Sequence, residues 1–321
     1  MADRIVYRHM NTAGLLDMVF YLYKKTFWRQ MVRAMVFGIP AYIFLIIFSF
    51  FGVMFFGAAG IGGVSAAVFA SVFVVLFLIW ATLGAAGNTS LTKQAFYGNN
   101  VSIDIMFKDI KNGFFSVFTS LAAVFLLALP LLAAAVLFFV RVFRYFFERP
   151  YNADASIVFI ICIIVVIVLA VYFISAIFFT ATSAVVPAAA IEKKYFFSAV
   201  ARSFMLVKND FKKIFGTYLI WRLIVGLINY SALIAYYIAT GSVSAVINNL
   251  TDFYSMSSLT YLLGNNFVYI LISLILSPFD AILAATVYFN QRIKNEGLDI
   301  EIGLEKLAER ELAAKPYASA I

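Results

Sequence analysis

Histidine and cysteine are almost absent from this 321-residue chain, and charge of either sign is scarce. The single histidine, His9, and the single cysteine, Cys162, stand far apart in sequence. A zinc, haem or copper centre on His and Cys ligands needs several such side chains to converge, so neither a metal nor a cofactor is expected. A Ser-His-Asp arrangement would depend on His9, and no serine carries a nucleophile signature. A Gly-x-x-x-x-Gly-Lys-Ser/Thr loop is also missing, which argues against a Walker-type nucleotide site. The chain is therefore not expected to be an enzyme. Cys162, within the apolar run Ile157–Ala170, reads as a small apolar residue facing lipid or another helix.

Charged residues make up 12% of the chain and apolar ones 64%, against about 25% and roughly 45–50% in soluble domains. So few charges cannot coat a water-facing surface, and the apolar residues suffice for several spans of about 20 residues. The net charge of +8 does not imply nucleic acid, because the basic residues lie between apolar runs rather than in one patch. Anionic lipid headgroups are the expected partner. The N-terminus lacks the apolar core and cleavage site of a secretory signal and is expected to be retained.

Six segments predict membrane spans: Ala34–Gly57, Val64–Ala86, Phe115–Val140, Ile157–Pro187, Ile214–Ala239 and Phe267–Phe289. They are apolar on every face, unlike the alternating strands of a membrane β-barrel. Long and short connections alternate, which pairs the spans as three helical hairpins. The first is closed by an uncharged turn, Gly57 to Gly63. Pro40, Pro130, Pro187 and Pro278 fall within or beside spans, where neighbouring helices or water can satisfy the freed carbonyls.

Counting Lys and Arg sets the orientation. The N-terminal segment (Arg4, Arg8, Lys24, Lys25, Arg29, Arg33), the connection after span 2 (Lys93, Lys108, Lys111), that after span 4 (Lys193, Lys194, Arg202, Lys208, Lys212, Lys213) and the tail (Arg292, Lys294, Lys306, Arg310, Lys315) hold 20 of the 24 basic residues. The positive-inside rule then puts both termini in the cytoplasm. Arg141, Arg144 and Arg149 oppose this bias. They are read as an extension of span 3 whose arginines snorkel to outer headgroups.

A motif recurs before spans 1, 3 and 5: Phe20-x-x-x-Lys24-x-x-Phe27, Phe107-x-x-x-Lys111-x-x-Phe114 and Phe204-x-x-x-Lys208-x-x-Phe211. Positions i, i+4 and i+7 share a helix face, so each is an aromatic–basic–aromatic stripe. The segments Leu15–Arg29, Ser102–Phe115 and Phe197–Lys213 are expected to be amphipathic helices at the inner membrane surface, rings among acyl chains and lysines at phosphates. The competing reading is chance, since Phe is abundant and Lys commonly flanks spans. The expected architecture is an all-α bundle of about six transmembrane helices, three hairpins each preceded by an interfacial helix. Residues 1–295 form the membrane domain, with repeat units of about 12–86, 100–187 and 197–290. Residues 296–321 form a charged cytoplasmic tail, read as a solvated helix or a docking segment.

Arg222 and Asp280 are the ionisable residues placed inside the membrane. Arg222 is eight positions after Ile214 and Asp280 nine before Phe289, which puts both ~12–14 Å from the same membrane surface. An ion pair is expected, because two unpaired charges there would be costly. It is either a structural tie between two helices or part of a transport path, which Asn229 could extend. Of the glycosylation-type triplets, Asn88-Thr89-Ser90 falls on the cytoplasmic side and is expected to be inert. Asn249-Leu250-Thr251 falls outside.

Two stretches resemble a known family: Ala190-Ile-Glu-Lys-Lys-Tyr-Phe-Phe-Ser-Ala-Val-Ala-Arg-Ser-Phe-Met-Leu-Val-Lys208, and Leu276-Ser-Pro-Phe279 through Tyr288-Phe-Asn-Gln-Arg-Ile-Lys-Asn-Glu-Gly-Leu-Asp-Ile300. They are similar to the multi-pass membrane domain attached to some bacterial glycerophosphodiester phosphodiesterases, and to related stand-alone bacterial membrane proteins. Tyr288–Ile300 is the more specific half. The soluble phosphodiesterase domain, with its histidine and metal-binding carboxylates, has no counterpart here. The resemblance thus implies a bacterial cytoplasmic membrane and no hydrolase activity. The leading expectation is a non-catalytic membrane protein acting through lipid contact, or as a membrane partner of other proteins at the cytoplasmic face. A transporter or permease subunit for a lipid-like or peptide substrate is the alternative, and a membrane-embedded enzyme ranks third.

Overall fold

The computed structural model describes residues 9–44, 64–147, 170–239 and 259–305, together with positions 47, 166, 307 and 308. Among them there is no strand, and the protein is an all-α, multi-pass membrane bundle. The helices are α1 (Thr12–Arg33), α2 (Val64–Phe96), α3 (Ile103–Phe147), α4 (residues 170–182), α5 (Val185–Glu192), α6 (Phe196–Val207), α7 (Phe211–Ala239), α8 (Leu259–Glu296) and α9 (residues 298–305). Five stretches of the described residues are long and apolar enough to cross a membrane: Ser71–Phe96, Ile103–Phe138, Ala170–Glu192, Phe196–Tyr236 and Ile270–Glu296. Half of the expected first span, the start of the expected fourth, the turn Gly57–Gly63, Cys162, Arg149, the Asn249 triplet, and the termini with Arg4, Arg8, Lys306, Arg310 and Lys315 lie outside the described residues.

Each lead-in helix joins its span differently. α1 opens at Asn11, whose Oδ1 accepts the Gly14 N–H at 2.8 Å. It passes through a π-helical turn, Ala34–Gly38, into a further helical stretch. That turn stands just before Pro40, whose ring and missing N–H forbid the regular bond to the Val36 carbonyl. The Phe37 carbonyl, within that turn, accepts the indole N–H of Trp80. α3 runs unbroken for 45 residues, about 67 Å at the standard rise, roughly twice the hydrocarbon thickness. It carries Arg141 and Arg144 beyond its apolar stretch. A 3₁₀ turn, Lys208–Asp210, joins α6 to α7.

Two prolines act differently. Pro187 lies in the first turn of α5, where its missing N–H is tolerated, and the chain breaks between α4 and α5 just before it. Ser203 holds that break by donating to Ala181 O at 2.8 Å and accepting the Ala184 N–H at 3.2 Å. Pro278 sits inside α8. Nearby, Tyr23 donates its hydroxyl to Ile275 O at 3.0 Å.

The buried core gathers at the end of the bundle that carries the basic connections. Leu15, Leu22, Phe96, Met106, Ile214, Phe289 and Leu298 are all fully or almost fully buried there. Towards the other end, Leu132, Leu137, Phe173, Leu227 and Ile238 are exposed. Lipid tails are as apolar as leucine, so these side chains need no protein cover. Along α1 the buried residues Leu15, Val19, Leu22, Thr26, Gln30 and Arg33 fall at helical spacing on one face. Leu298 and Ile302 anchor α9 against the bundle. The start of the charged tail is therefore packed rather than solvated.

Candidate functional site at the basic end of the bundle

α7 and α8 bring Arg222 and Asp280 together, with Nη2 3.8 Å from Oδ2. The other carboxylate oxygen accepts the Trp221 indole N–H at 2.8 Å. Trp221 is buried, its ring 5.9 Å from Phe20 and 5.3 Å from Phe279, while the Arg222 guanidinium lies 5.5 Å from the Phe179 ring. The charged side chains are 46% and 47% exposed, so the pair faces outward. Asn229 does not join them: its Nδ2 donates to Val225 O at 2.9 Å, one turn back on its own helix.

The three stripes have matching surroundings. Phe20, Phe107 and Phe204 are exposed, as are Lys24, Lys111 and Lys208, whereas Phe27, Phe114 and Phe211 are half-buried. Corresponding residues on the opposite faces are buried: Val19, Met106 and Ser203 one position before each first Phe, and Arg33, Ser120 and Thr217 thirteen positions after it. α1, the start of α3 and the α6–α7 segment thus bury corresponding positions and expose the first Phe and the Lys of each stripe. Arg33 alone brings a charge into the core. Its Nε donates to Gln30 Oε1 at 3.1 Å and Nη1 to Gly84 O at 3.4 Å, while Nη2 and Gln30 Nε2 find no partner.

An ion network that pattern reading missed joins α5, α6, α8 and α9. Arg202 donates from Nε and Nη2 to Glu192, at 2.9 to 3.0 Å, and its Nη2 also lies 2.6 Å from Glu296. Glu296 takes Arg292 Nε at 2.9 Å on its other oxygen, and Arg292 reaches Glu301 at 3.5 Å. The Tyr288 hydroxyl donates to Glu192 at 2.8 Å and accepts from Arg292 at 3.4 Å. Glu192, Arg202, Tyr288, Arg292 and Glu296 all belong to the two stretches that carry the family resemblance. That was the available signal; charge counting treats the same residues only as topology markers.

A second cluster ties down the N-terminal segment. Lys294 contacts both oxygens of Asp210 at 2.6 and 2.7 Å, and Gln291 donates to Asp210 at 3.2 Å. Lys213 donates to Met10 O at 2.7 Å, and Asn290 Oδ1 accepts the Met10 N–H at 2.7 Å. His9 lies 3.4 Å from the Lys213 ammonium. Partial burial, then the charges of Lys213 and Lys294, hold its imidazole below the usual histidine range, with Asp210 opposing them.

A polar cavity of about 230 Å³ opens between α2, α3 and α5, lined by Ser90, Lys93, Asp109, Asn112 and Lys193 among others. Ser90 donates to Asp109 at 2.6 Å. Gln94 donates to Ser90 at 3.2 Å and accepts the Ser102 N–H at 2.7 Å. The Asn88-Thr89-Ser90 triplet is buried, so no enzyme can reach it in the folded protein. Among the described residues no cluster of three or more His, Cys, Asp or Glu side chains is placed to hold a metal ion.

Fold and site together define a multi-pass helical membrane protein whose polar order, among the described residues, is concentrated at one end of the bundle. Comparison with protein-family models, curated proteins and solved structures finds no match.

Proposed function

We propose that the protein is a non-catalytic component of the bacterial cytoplasmic membrane, with both termini inside, acting through contact with anionic lipids of the inner leaflet. The observation that carries this reading is the common presentation of the stripes, with Phe20 and Lys24, Phe107 and Lys111, and Phe204 and Lys208 all exposed. A helix face of this kind seats rings at acyl-chain level and ammonium groups among phosphates. Each lysine near an anionic surface contributes about 1 kcal/mol. The family resemblance and the bias of basic residues support the same membrane and orientation. The outward-facing Arg222–Asp280 pair fits a tie between α7 and α8 better than a transport path.

The test is lipid selectivity. Spin-labelled phosphatidylglycerol and phosphatidylcholine are compared at the boundary of the reconstituted full chain. The wild type should prefer phosphatidylglycerol, less so at high salt, and Lys24→Gln/Lys111→Gln/Lys208→Gln should lose the preference. Equal association of both lipids with the wild type would refute the reading.

A further inference from the structure

The cavity between α2, α3 and α5 differs from its surroundings in how its charges are arranged. Elsewhere at this end, opposite charges touch: Arg202 with Glu192, Arg292 with Glu296, Lys294 with Asp210. In the cavity Lys93, Lys193 and Asp109 line one space, yet neither lysine comes within ion-pair distance of Asp109 or of any other carboxylate among the described residues. Asp109 is oriented instead by Ser90, which donates to Oδ2 and is itself held by Gln94. Lys193 is fixed from the backbone, with φ +53 at the C-terminal cap of α5. A non-glycine residue keeps such a conformation only where its surroundings enforce it. Two cations and a carboxylate thus line one gap without pairing, and a ligand with charges of both signs would bridge them.

Location and size narrow the ligand. The lining comes from the ends of α2 and α5 and the first three turns of α3, so it lies at the end of the bundle where the basic connections gather. At about 230 Å³ the space is below the ≈ 300–1,000 Å³ of drug-sized sites, suited to a polar headgroup whose tails stay in the bilayer. Phe115 and Phe197, close by in sequence on α3 and α6, are exposed apolar surface.

We propose that this cavity binds the headgroup of a membrane lipid bearing both a phosphate and a primary amine, the phosphate held by Lys93 and Lys193 and the ammonium by Asp109. Asn112, also in the lining, supplies further hydrogen bonding to the headgroup. The site rests on the lipid-contact reading only in taking a lipid as its source. The two fail separately, because the stripes govern boundary preference for anionic lipid and the cavity governs retention of one zwitterionic lipid.

Native mass spectrometry of the full chain from detergent, with phosphatidylethanolamine, phosphatidylglycerol or phosphatidylcholine added, tests the proposal. The wild type should retain one phosphatidylethanolamine at least tenfold more strongly than the other two. Lys93→Gln/Lys193→Gln should lower that retention at least tenfold. Asp109→Asn should bring phosphatidylethanolamine down to the level of phosphatidylglycerol. Equal retention of the three lipids by the wild type, which needs no variant to fold, overturns the proposal, as does unchanged retention by Asp109→Asn. Displacement by free phosphoethanolamine at the same concentration overturns the assignment to a lipid.

Discussion

Arg202 stands between two carboxylates from different helices, bonding Glu192 with two nitrogens at 2.9 to 3.0 Å and Glu296 at 2.6 Å. That one guanidinium ties the ends of α5 and α8 to the middle of α6. Its side chain is 22% exposed and those of Glu192 and Glu296 are 15% and 28%, so the network lies between the fully buried and the surface regimes. Bidentate geometry and shared partners raise its worth above that of an isolated exposed pair.

Removing Arg202 leaves Glu192 without its guanidinium partner and Glu296 with Arg292 alone. Arg202→Gln should cost about 2 kcal/mol, between the surface and buried limits for breaking such pairs. Glu296→Gln should cost less, because Glu192 and Arg202 still meet. Thermal unfolding in detergent checks the order. A double-mutant cycle of Arg202→Gln with Glu192→Gln should give a coupling energy above that of an exposed pair.

Arg33 is buried with one nitrogen unpartnered, beside a Gln30 amide in the same condition. Unsatisfied buried donors cost about 1–3 kcal/mol each, and apolar replacement of buried polar groups is often stabilising. Arg33→Met/Gln30→Leu should therefore unfold at a temperature no lower than the wild type. Arg33→Met alone should do worse than the double variant, since it strips Gln30 Oε1 of the Arg33 Nε–H.

Asp280 satisfies both Trp221 and Arg222. Asp280→Asn should sharply lower the folded yield, and Asp280→Asn/Arg222→Gln should recover part of it, because the isolated cation at membrane depth is the costly species. Normal yield of the single variant with a lost activity would instead point to a transport path.

His9 is the only histidine, so selective labelling gives one titrating signal. Its pKa should lie below the ordinary 6.5, and Lys213→Gln should raise it part of the way, burial being the larger cause. A depressed histidine pKa means that the unfolded chain binds more protons. The docked N-terminal segment should thus loosen as pH falls through 6.5 towards the folded value, and hold above it.

Features carried by local pattern were legible in the sequence. Apolar length marks the crossing helices, and the stripes repeat at helical spacing. Equal depth on α7 and α8 is what brings Arg222 and Asp280 into contact. Features built from distant segments were not legible. Glu192 and Tyr288 are 96 positions apart yet share a hydrogen bond. The Ser90–Asp109 contact behind the cavity depends on how α2 turns towards α3, and no local pattern links two residues 19 positions apart. Leu298 and Ile302 were obscured by the charges around them, which pointed to a free helix while these two side chains pack it down.

The claim that the stripes share one membrane surface is tested most directly by depth. Spin labels placed singly at positions 24, 111 and 208 of the full chain, with Cys162→Ser as background, report it through their access to lipid-soluble and water-soluble relaxation agents. All three should sit at the headgroup level, and all three should be reduced by a membrane-impermeant agent applied from the same side. A label at a different depth, or one reached only from the opposite side, would contradict the account.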